Sequence, residues 1–271
     1  MHSVPIVLTV AGSDSSGGAG LQADIKAITL TGAYAAAVPT VLTAQNTQGV
    51  FAISEVSTQF VRQQLEVVCN DLNVSAMKVG MLYSTDIVLA VADVIKAFEF
   101  NHVVVDPVMI AKGGESLLGR EALIAMDECL LPLASLITPN SEEARVLWQR
   151  EIKSYDEVAM AAQALGERYE TSVLVKGGHL EGEDAIDTLY HYDKRDFVTF
   201  SKPRVTSENT HGTGCTYASA IASFLAHGLG MDEAVRRAKN FVHDAIVQAA
   251  DCKVGCGHGP LVHLSPSSLV G

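Results

Sequence analysis

Short apolar runs alternate along this chain with longer segments whose apolar positions recur at helical spacing. Ile6-Val7-Leu8-Thr9-Val10, Val103-Val104-Val105, Leu136-Ile137 and Val173-Leu174-Val175 are the strand candidates. Continuous β-branched runs of this kind suit strands covered on both faces. Val88, Val91, Ala92 and Ile95 mark one helix between them. Val158, Ala161, Ala162 and Leu165 mark another, opened by Ser154 with Glu157 as a capping box. Ala234, Val235, Ala238, Phe241, Val242, Ala245 and Ile246 mark a third. The alternation predicts an α/β fold with a largely parallel sheet and helices on both faces. No linker, low-complexity segment or internal repeat interrupts it, so residues 1–271 are read as one domain.

In such sheets ligands bind beyond the carboxyl ends of the strands. The strand candidates run into Gly12-Ser13-Asp14, Asp106-Pro107, Thr138-Pro139-Asn140 and Lys176-Gly177-Gly178. One ending of this kind is routine, but several around one crevice predict a site. The first continues as Ser15-Ser16-Gly17-Gly18-Ala19-Gly20, more glycine than a helix cap at Ser15 or Ser16 needs. Glycine lets backbone N–H groups approach a ligand closely. No Gly-Lys-Ser/Thr follows, so this is not a Walker A loop.

Asn209-Thr210-His211-Gly212-Thr213-Gly214-Cys215-Thr216 precedes an uncharged helix expected from about Tyr217. A Gly-x-Gly turn before a helix presents N–H groups at its positive end, an anion site. It is not the dinucleotide fingerprint, because Tyr217 stands where that pattern needs glycine. Cys215 is either an inert core thiol or, in a first helical turn, a stabilised thiolate. Asn140-Ser141-Glu142-Glu143 is either a solvated first turn or a set of Mg²⁺ carboxylates. Asp106, after a very apolar strand, is the stronger candidate, since isolated buried carboxylates are costly. Cys252, Cys256, His258 and His263 match no trusted zinc spacing, and the surrounding glycines suit a loop that closes over the site.

Charge narrows the partners. Lys+Arg of 19 against Asp+Glu of 31 gives a net charge of −12 in 271 residues. Such a field repels nucleic acid and anionic lipid, so an anionic substrate needs a local cationic cluster. Two long stretches lack Asp, Glu, Lys and Arg, Ala27 to Ser54 and Asn209 to Met231. Glycines, Pro39 and polar residues break them, so both are read as buried backbone rather than membrane spans. The five cysteines with no secretory signal before them are expected to be reduced thiols in the cytoplasm.

The ordered set of motifs resembles the ribokinase-like superfamily of small-molecule kinases. Within it the set is similar to the hydroxymethylpyrimidine/phosphomethylpyrimidine kinases of thiamine biosynthesis. The residues that carry this are Ala11 to Gly20, Gln22-Ala23-Asp24, Ala44-Gln45-Asn46-Thr47, Lys78-Val79-Gly80-Met81-Leu82, Asp106-Pro107-Val108-Met109, Thr138-Pro139-Asn140, Lys176-Gly177-Gly178-His179 and His211 to Thr216. Gly257-His258-Gly259-Pro260 is similar to the family's C-terminal loop.

The resemblance implies a three-layer α/β/α fold and ATP-dependent phosphorylation of 4-amino-5-hydroxymethyl-2-methylpyrimidine, then of its monophosphate. It implies that Gln45 binds the pyrimidine, with Gly12, Asp24, Met81 and Val108 lining the pocket. Lys176, Thr138 and Asn140 would serve ATP, and Asp106 and Glu143 would organise Mg²⁺. Gly212, Thr213 and Gly214 would face the transferred phosphoryl group, and Cys215 would take the hydroxyl proton or orient the substrate. A homodimer is expected on the same ground. A pyridoxal kinase of the same fold, a Cys215/His211 hydrolase or redox enzyme, and a non-catalytic vitamin-binding protein stand as the alternatives.

Overall fold

The structure is a computed structural model that describes residues 4–109, 118–178 and 180–263. In chain order the elements are β1 (Ile6–Asp14), α1 (Gly20–Leu30), β2 (Tyr34–Asn46), β3 (Gly49–Glu55), α2 (Thr58–Asp71), β4 (Val74–Val79), α3 (Thr85–Phe98), β5 (Val103–Val105), α4 (Arg120–Ala125), β6 (Leu136–Ile137), α5 (Ser141–Trp148), α6 (Tyr155–Tyr169), β7 (Ser172–Lys176), β8 (Asp184–His191), β9 (Asp196–Pro203), α7 (Thr213–Ala226) and α8 (Met231–Ala249). The strands form one sheet in the order β3-β2-β1-β4-β5-β6-β7-β8-β9. Neighbours from β2 to β7 pair in parallel. Antiparallel β3 closes one edge and antiparallel β8 and β9 the other.

Strand alternation sends successive side chains to opposite faces. Val104 joins Val7, Ala76, Leu136 and Leu174 in a core with Ile28 of α1, Ile221 of α7 and Val235 of α8. Val103 and Val105 join Leu8, Val10, Met77 and Ile137 in the other, with Leu65 of α2, Val91 of α3 and Leu165 of α6. Helices therefore cover both faces, as the β-branched runs predict.

Four sequence expectations need correction. β1 runs past Val10 to Asp14, so the first residues of the glycine motif belong to a strand end. Ala27 to Ser54 is not all buried: Phe51 on β3 is 70% exposed, because β3 is an edge strand paired with β2. Ser154 caps α6 by accepting the Glu157 amide, but the Glu157 carboxylate turns to the Lys153 amide instead of closing the box. α7 starts at Thr213, not Tyr217. Its cap, Gly212, has φ +82°, and a Cβ there would meet the Gly18 carbonyl oxygen at 1.8 Å. Only glycine tolerates that conformation and that approach together.

Candidate active site

A cleft of about 810 Å³ opens beyond the carboxyl ends of the parallel strands. That volume suits a small-molecule site. Gly12, Gln45, Met81 and Val108 line it, and so do Asp106, Asn140, Glu143, Lys176, Gly212, Thr213, Gly214 and Cys215. Lys202, Arg204 and Lys239 extend the lining and add cations that the motifs did not reveal. They come from β9, the turn after it and α8, which packs on β9.

One corner of the cleft is built from three elements. Lys176 ends β7, and its Nζ donates to Asp106 Oδ1 at 2.7 Å. Burial works against the lysine's charge, but Asp106 and Glu143 outweigh it and hold its pKa above the ordinary value. A Cβ on Gly214 would lie 3.3 Å from Lys176 Nζ and 3.5 Å from Asp106 Oδ2. The first turn of α7 thus meets the ion pair, at the end of a helix where backbone amides lack intrahelical partners. The Thr213 amide instead turns back to the Thr210 carbonyl at 3.4 Å.

Thr138 does not face the cleft. It is 1% exposed and gives its hydroxyl to Asp106 Oδ1 at 3.1 Å, so it steadies that carboxylate rather than meeting ATP itself. Asn140 caps α5 in a complete capping box: its side chain accepts the Glu143 amide at 2.9 Å, and Glu143 Oε2 accepts the Asn140 amide at 2.8 Å. Burial lifts the Glu143 carboxyl to about 7; Lys176 opposes this, Asp106 adds to it, and the Asn140 and Met109 amides pull it back. With Lys176 and Thr138 both on Oδ1, Asp106 keeps Oδ2 toward the cleft. One or two carboxylates beside a phosphate site fit Mg²⁺, which is usually completed by water and substrate phosphates. Among the described residues no cluster of three or more ligating side chains forms a protein-only cage.

Asp24 is the clearest misplacement. It lies beneath the cleft with no exposure, paired with Lys78 Nζ at 2.9 Å on both carboxylate oxygens. Thr9 and Ser219 hydroxyls donate to it at 2.6 and 2.7 Å. Its position early in α1 turns it into the core beneath β1, where it ties α1, β1, β4 and α7 together.

Cys215 lies in the first turn of α7 and lines the cleft. Its thiolate is not favoured there: burial raises the thiol to about 11, Asp24 and Asp106 add to that, and Lys78 and the Gly20 amide only partly oppose it. Nor does His211 make a catalytic pair with it. His211 Nε2 lies 2.9 Å from Asp14 Oδ2 and 3.3 Å from the Gln45 amide. These two findings remove the basis of the Cys215/His211 hydrolase.

Asp14 itself was not assigned a role from sequence. Its carboxylate accepts the Ser16 hydroxyl and the Ser16, Gly18 and Ala19 amides at 2.7 to 3.1 Å. Burial alone would raise its pKa, yet the hydrogen bonds from His211, Ser16 and Ala19 bring it down to about 2. Ser15 ties the same loop to the Gln45 backbone, donating to its carbonyl and accepting from its amide at 2.9 Å. The signal was an acidic residue inside a glycine run with a histidine beside the second glycine loop, but only folding brings the two loops together. Of the C-terminal loop, the Cys256 and Gly257 amides donate to Thr47 Oγ1, and His263 Nε2 lies 3.0 Å from Thr216 Oγ1. Pro260 bridges to His211, which places this loop at the rim. His179 of the Lys176-Gly177-Gly178-His179 motif lies outside the described residues.

The family model described as phosphomethylpyrimidine kinase matches residues 14–262. The chain belongs to that family. It is 44% identical over 259 residues to the hydroxymethylpyrimidine/phosphomethylpyrimidine kinase of Rhizobium meliloti, covering 95% of this chain and 96% of that protein. It is 48% identical over 258 residues to the thiamine biosynthesis bifunctional protein ThiED of Geobacter sulfurreducens, covering 95% of this chain but only 52% of that protein. The chain thus spans about half of the bifunctional relative and nearly all of the other. Among solved structures, an ADP complex of Bacillus subtilis pyridoxal kinase superposes with a TM-score of 0.89 at 35% identity, covering 96% of this chain and 98% of that one. The three-layer architecture of this phosphomethylpyrimidine kinase family member is ribokinase-like, as the motifs implied.

Proposed function

We propose that the chain transfers a phosphoryl group from ATP to the hydroxymethyl group of 4-amino-5-hydroxymethyl-2-methylpyrimidine, and then to the resulting monophosphate. The observation that carries this is the convergence of Lys176, Asp106 and the Gly212 to Cys215 turn in one cleft with Gln45. Phosphoryl transfer is mostly positioning and charge neutralisation. The start of α7 and Lys176 supply positive potential to the transferred group, and Glu143 and Asp106 Oδ2 would hold Mg²⁺. When bound, that ion neutralises phosphate charge. Lys202 and Arg204 provide cationic lining for the nucleotide's remaining phosphates, whereas Lys239 is paired with Asp187 at 2.6 Å. Cys215, protonated at neutral pH, orients the substrate hydroxyl rather than acting as a ready-made thiolate.

The same reading takes the whole chain as one kinase domain working as a cytoplasmic homodimer. The five free cysteines support the compartment, and the continuous sheet supports the single domain. Among the described residues no helix is long and apolar enough to cross a membrane. The exposed apolar side chains of Leu42, Phe51 and Ile53 on β2 and β3 support a covered face. The likeness to a pyridoxal kinase favours pyridoxal as the competing substrate, whose ring also bears a hydroxymethyl group. An ADP-release assay across the pyrimidine, its monophosphate, pyridoxal and ribose tests the reading. Turnover of the first two above pyridoxal is expected; faster turnover of pyridoxal would reassign the chain.

A further inference from the structure

On the reading of Gln45 as the residue that meets the pyrimidine, the direction in which its amide lies decides what ring it can bind. The accepting and donating ends of an amide have nearly the same shape, so the neighbours determine the direction. At Gln45 both neighbours are constrained. The structure sets its Nε2 3.3 Å from His211 Nε2 and its Oε1 3.1 Å from Thr43 Oγ1, and the hydrogens those two neighbours carry decide whether that direction or the reverse is right.

His211 Nε2 also lies 2.9 Å from Asp14 Oδ2. An ionised carboxylate only accepts. Asp14 is ionised at neutral pH, with its carboxyl held at about 2. The ring nitrogen must therefore carry a hydrogen and donate, and a donating ring nitrogen cannot accept. Its one hydrogen points to Asp14, and of the two amide ends only the oxygen can share that hydrogen, so the end that faces it is the oxygen and the amide is turned over. At the other end, the Thr43 hydroxyl has a single hydrogen and gives it to the Ser13 carbonyl at 2.9 Å. It has only lone pairs left for Gln45, so the end that faces it must be the NH₂ group. Two separate neighbours require the same direction.

His211 cannot easily turn away. A Cβ on Gly18 would lie 2.4 Å from its Cδ2, so the glycine loop lies flat against the ring. Its backbone is held on both sides, with its amide donating to the Gly259 carbonyl and its carbonyl accepting from the Leu261 amide.

We propose that His211, anchored by Asp14, is a specificity-determining positioning residue that holds the Gln45 amide with its oxygen toward His211 and its nitrogen toward Thr43. One amide hydrogen and one oxygen lone pair then remain for the substrate. A ring fits when it presents a donating amine on the His211 side and an accepting ring nitrogen on the Thr43 side. A 4-oxo pyrimidine, with an acceptor where the amine should be, meets oxygen against oxygen.

Three measurements on the full chain test this. In ¹⁵N NMR of the histidine rings, with His211 assigned by its loss in His211→Asn, Nε2 should be protonated at neutral pH. A bare Nε2 overturns the proposal and needs no variant that survives only in part. In a double-mutant cycle of kcat/KM for the pyrimidine, His211→Asn and Gln45→Leu should each cost about 10–100-fold, and the double variant little more than the worse single. Losses that multiply overturn the proposal. The preference for the 4-amino over the 4-oxo ring should fall about 10-fold or more in His211→Asn, which general loosening of the loop would not produce. An unchanged preference also overturns it. Gln45→Leu with full activity would instead remove the reading of Gln45 and the proposal with it. Impaired Gln45→Leu with a bare Nε2 removes the proposal alone.

Discussion

Two buried lysine–aspartate pairs sit close together in this protein and do opposite things. Lys78–Asp24 has no exposure on either side chain, and both Asp24 oxygens are occupied by the lysine and by Thr9 or Ser219. Lys176–Asp106 is slightly open, at 13% and 3%, and loads Lys176 and Thr138 onto one oxygen while the other faces the cleft. A carboxylate whose acceptor sites are all used is a structural joint. Asp106 Oδ2 has no such hydrogen-bond partner among the described residues, and at a cleft wall that leaves capacity for chemistry. The difference lies in the neighbours, because the residue types are the same.

The largest effect should come from breaking the closed pair. Lys78→Met leaves a buried charge unpaired and should cost about 3–5 kcal/mol in urea unfolding, with Asp24→Leu in the same chain restoring part of it. A loss of activity at unchanged stability would contradict the structural role. Next, Lys176→Ala should lower kcat by about 10²–10³-fold, as for loss of a donor aimed at developing charge. It should destabilise less than Lys78→Met, since cleft water can reach Asp106. Equal destabilisation of the two variants would erase the distinction between the pairs.

Cys215→Ser sharpens the contrast at the carboxyl ends of the strands. A hydroxyl can replace a protonated thiol in orienting the substrate, so kcat should fall by under about 10-fold. A loss of about 10²–10⁴-fold would restore Cys215 as a general base. The smallest effect concerns Asp14, whose acceptor capacity is filled like that of Asp24 but at the cleft rim. Its folded pKa of about 2 lies below the ordinary 3.8, so its ionised form stabilises the fold above that range. That contribution is lost as pH falls from 3.8 through 2. Asp14→Asn should flatten acid unfolding over this window, and coincident acid transitions would refute the role.

Much of this site was legible in the chain. Lys176, Asp106 and the Gly212 to Cys215 turn stand at strand ends and a helix start, where residue type and local element already imply an anion site. Asp24 and Thr138 were not legible in the same way. Each belongs to a motif as characteristic as the others, yet each side chain turns inward, onto Lys78 in one case and Asp106 in the other. Cys215 was left open between thiol and thiolate for a related reason: a helix start favours a thiolate, whereas burial beside Asp24 and Asp106 works against it.

The amino-acid sequence by itself determined the alternation of strands and helices, the covering of the sheet on both faces and the family to which the chain belongs. Periodicity and turn chemistry are local properties, and an ordered set of motifs needs no coordinates to recognise. Tertiary structure alone decided which carboxylate turns an oxygen to the cleft, what surrounds the Cys215 thiol and which groups flank the Gln45 amide. Those depend on groups far apart in the chain, such as Asp14 with His211 and Lys78 with Asp24. Hydrogen-bond capacity and desolvation are set by everything within a few ångströms, whatever its distance along the sequence.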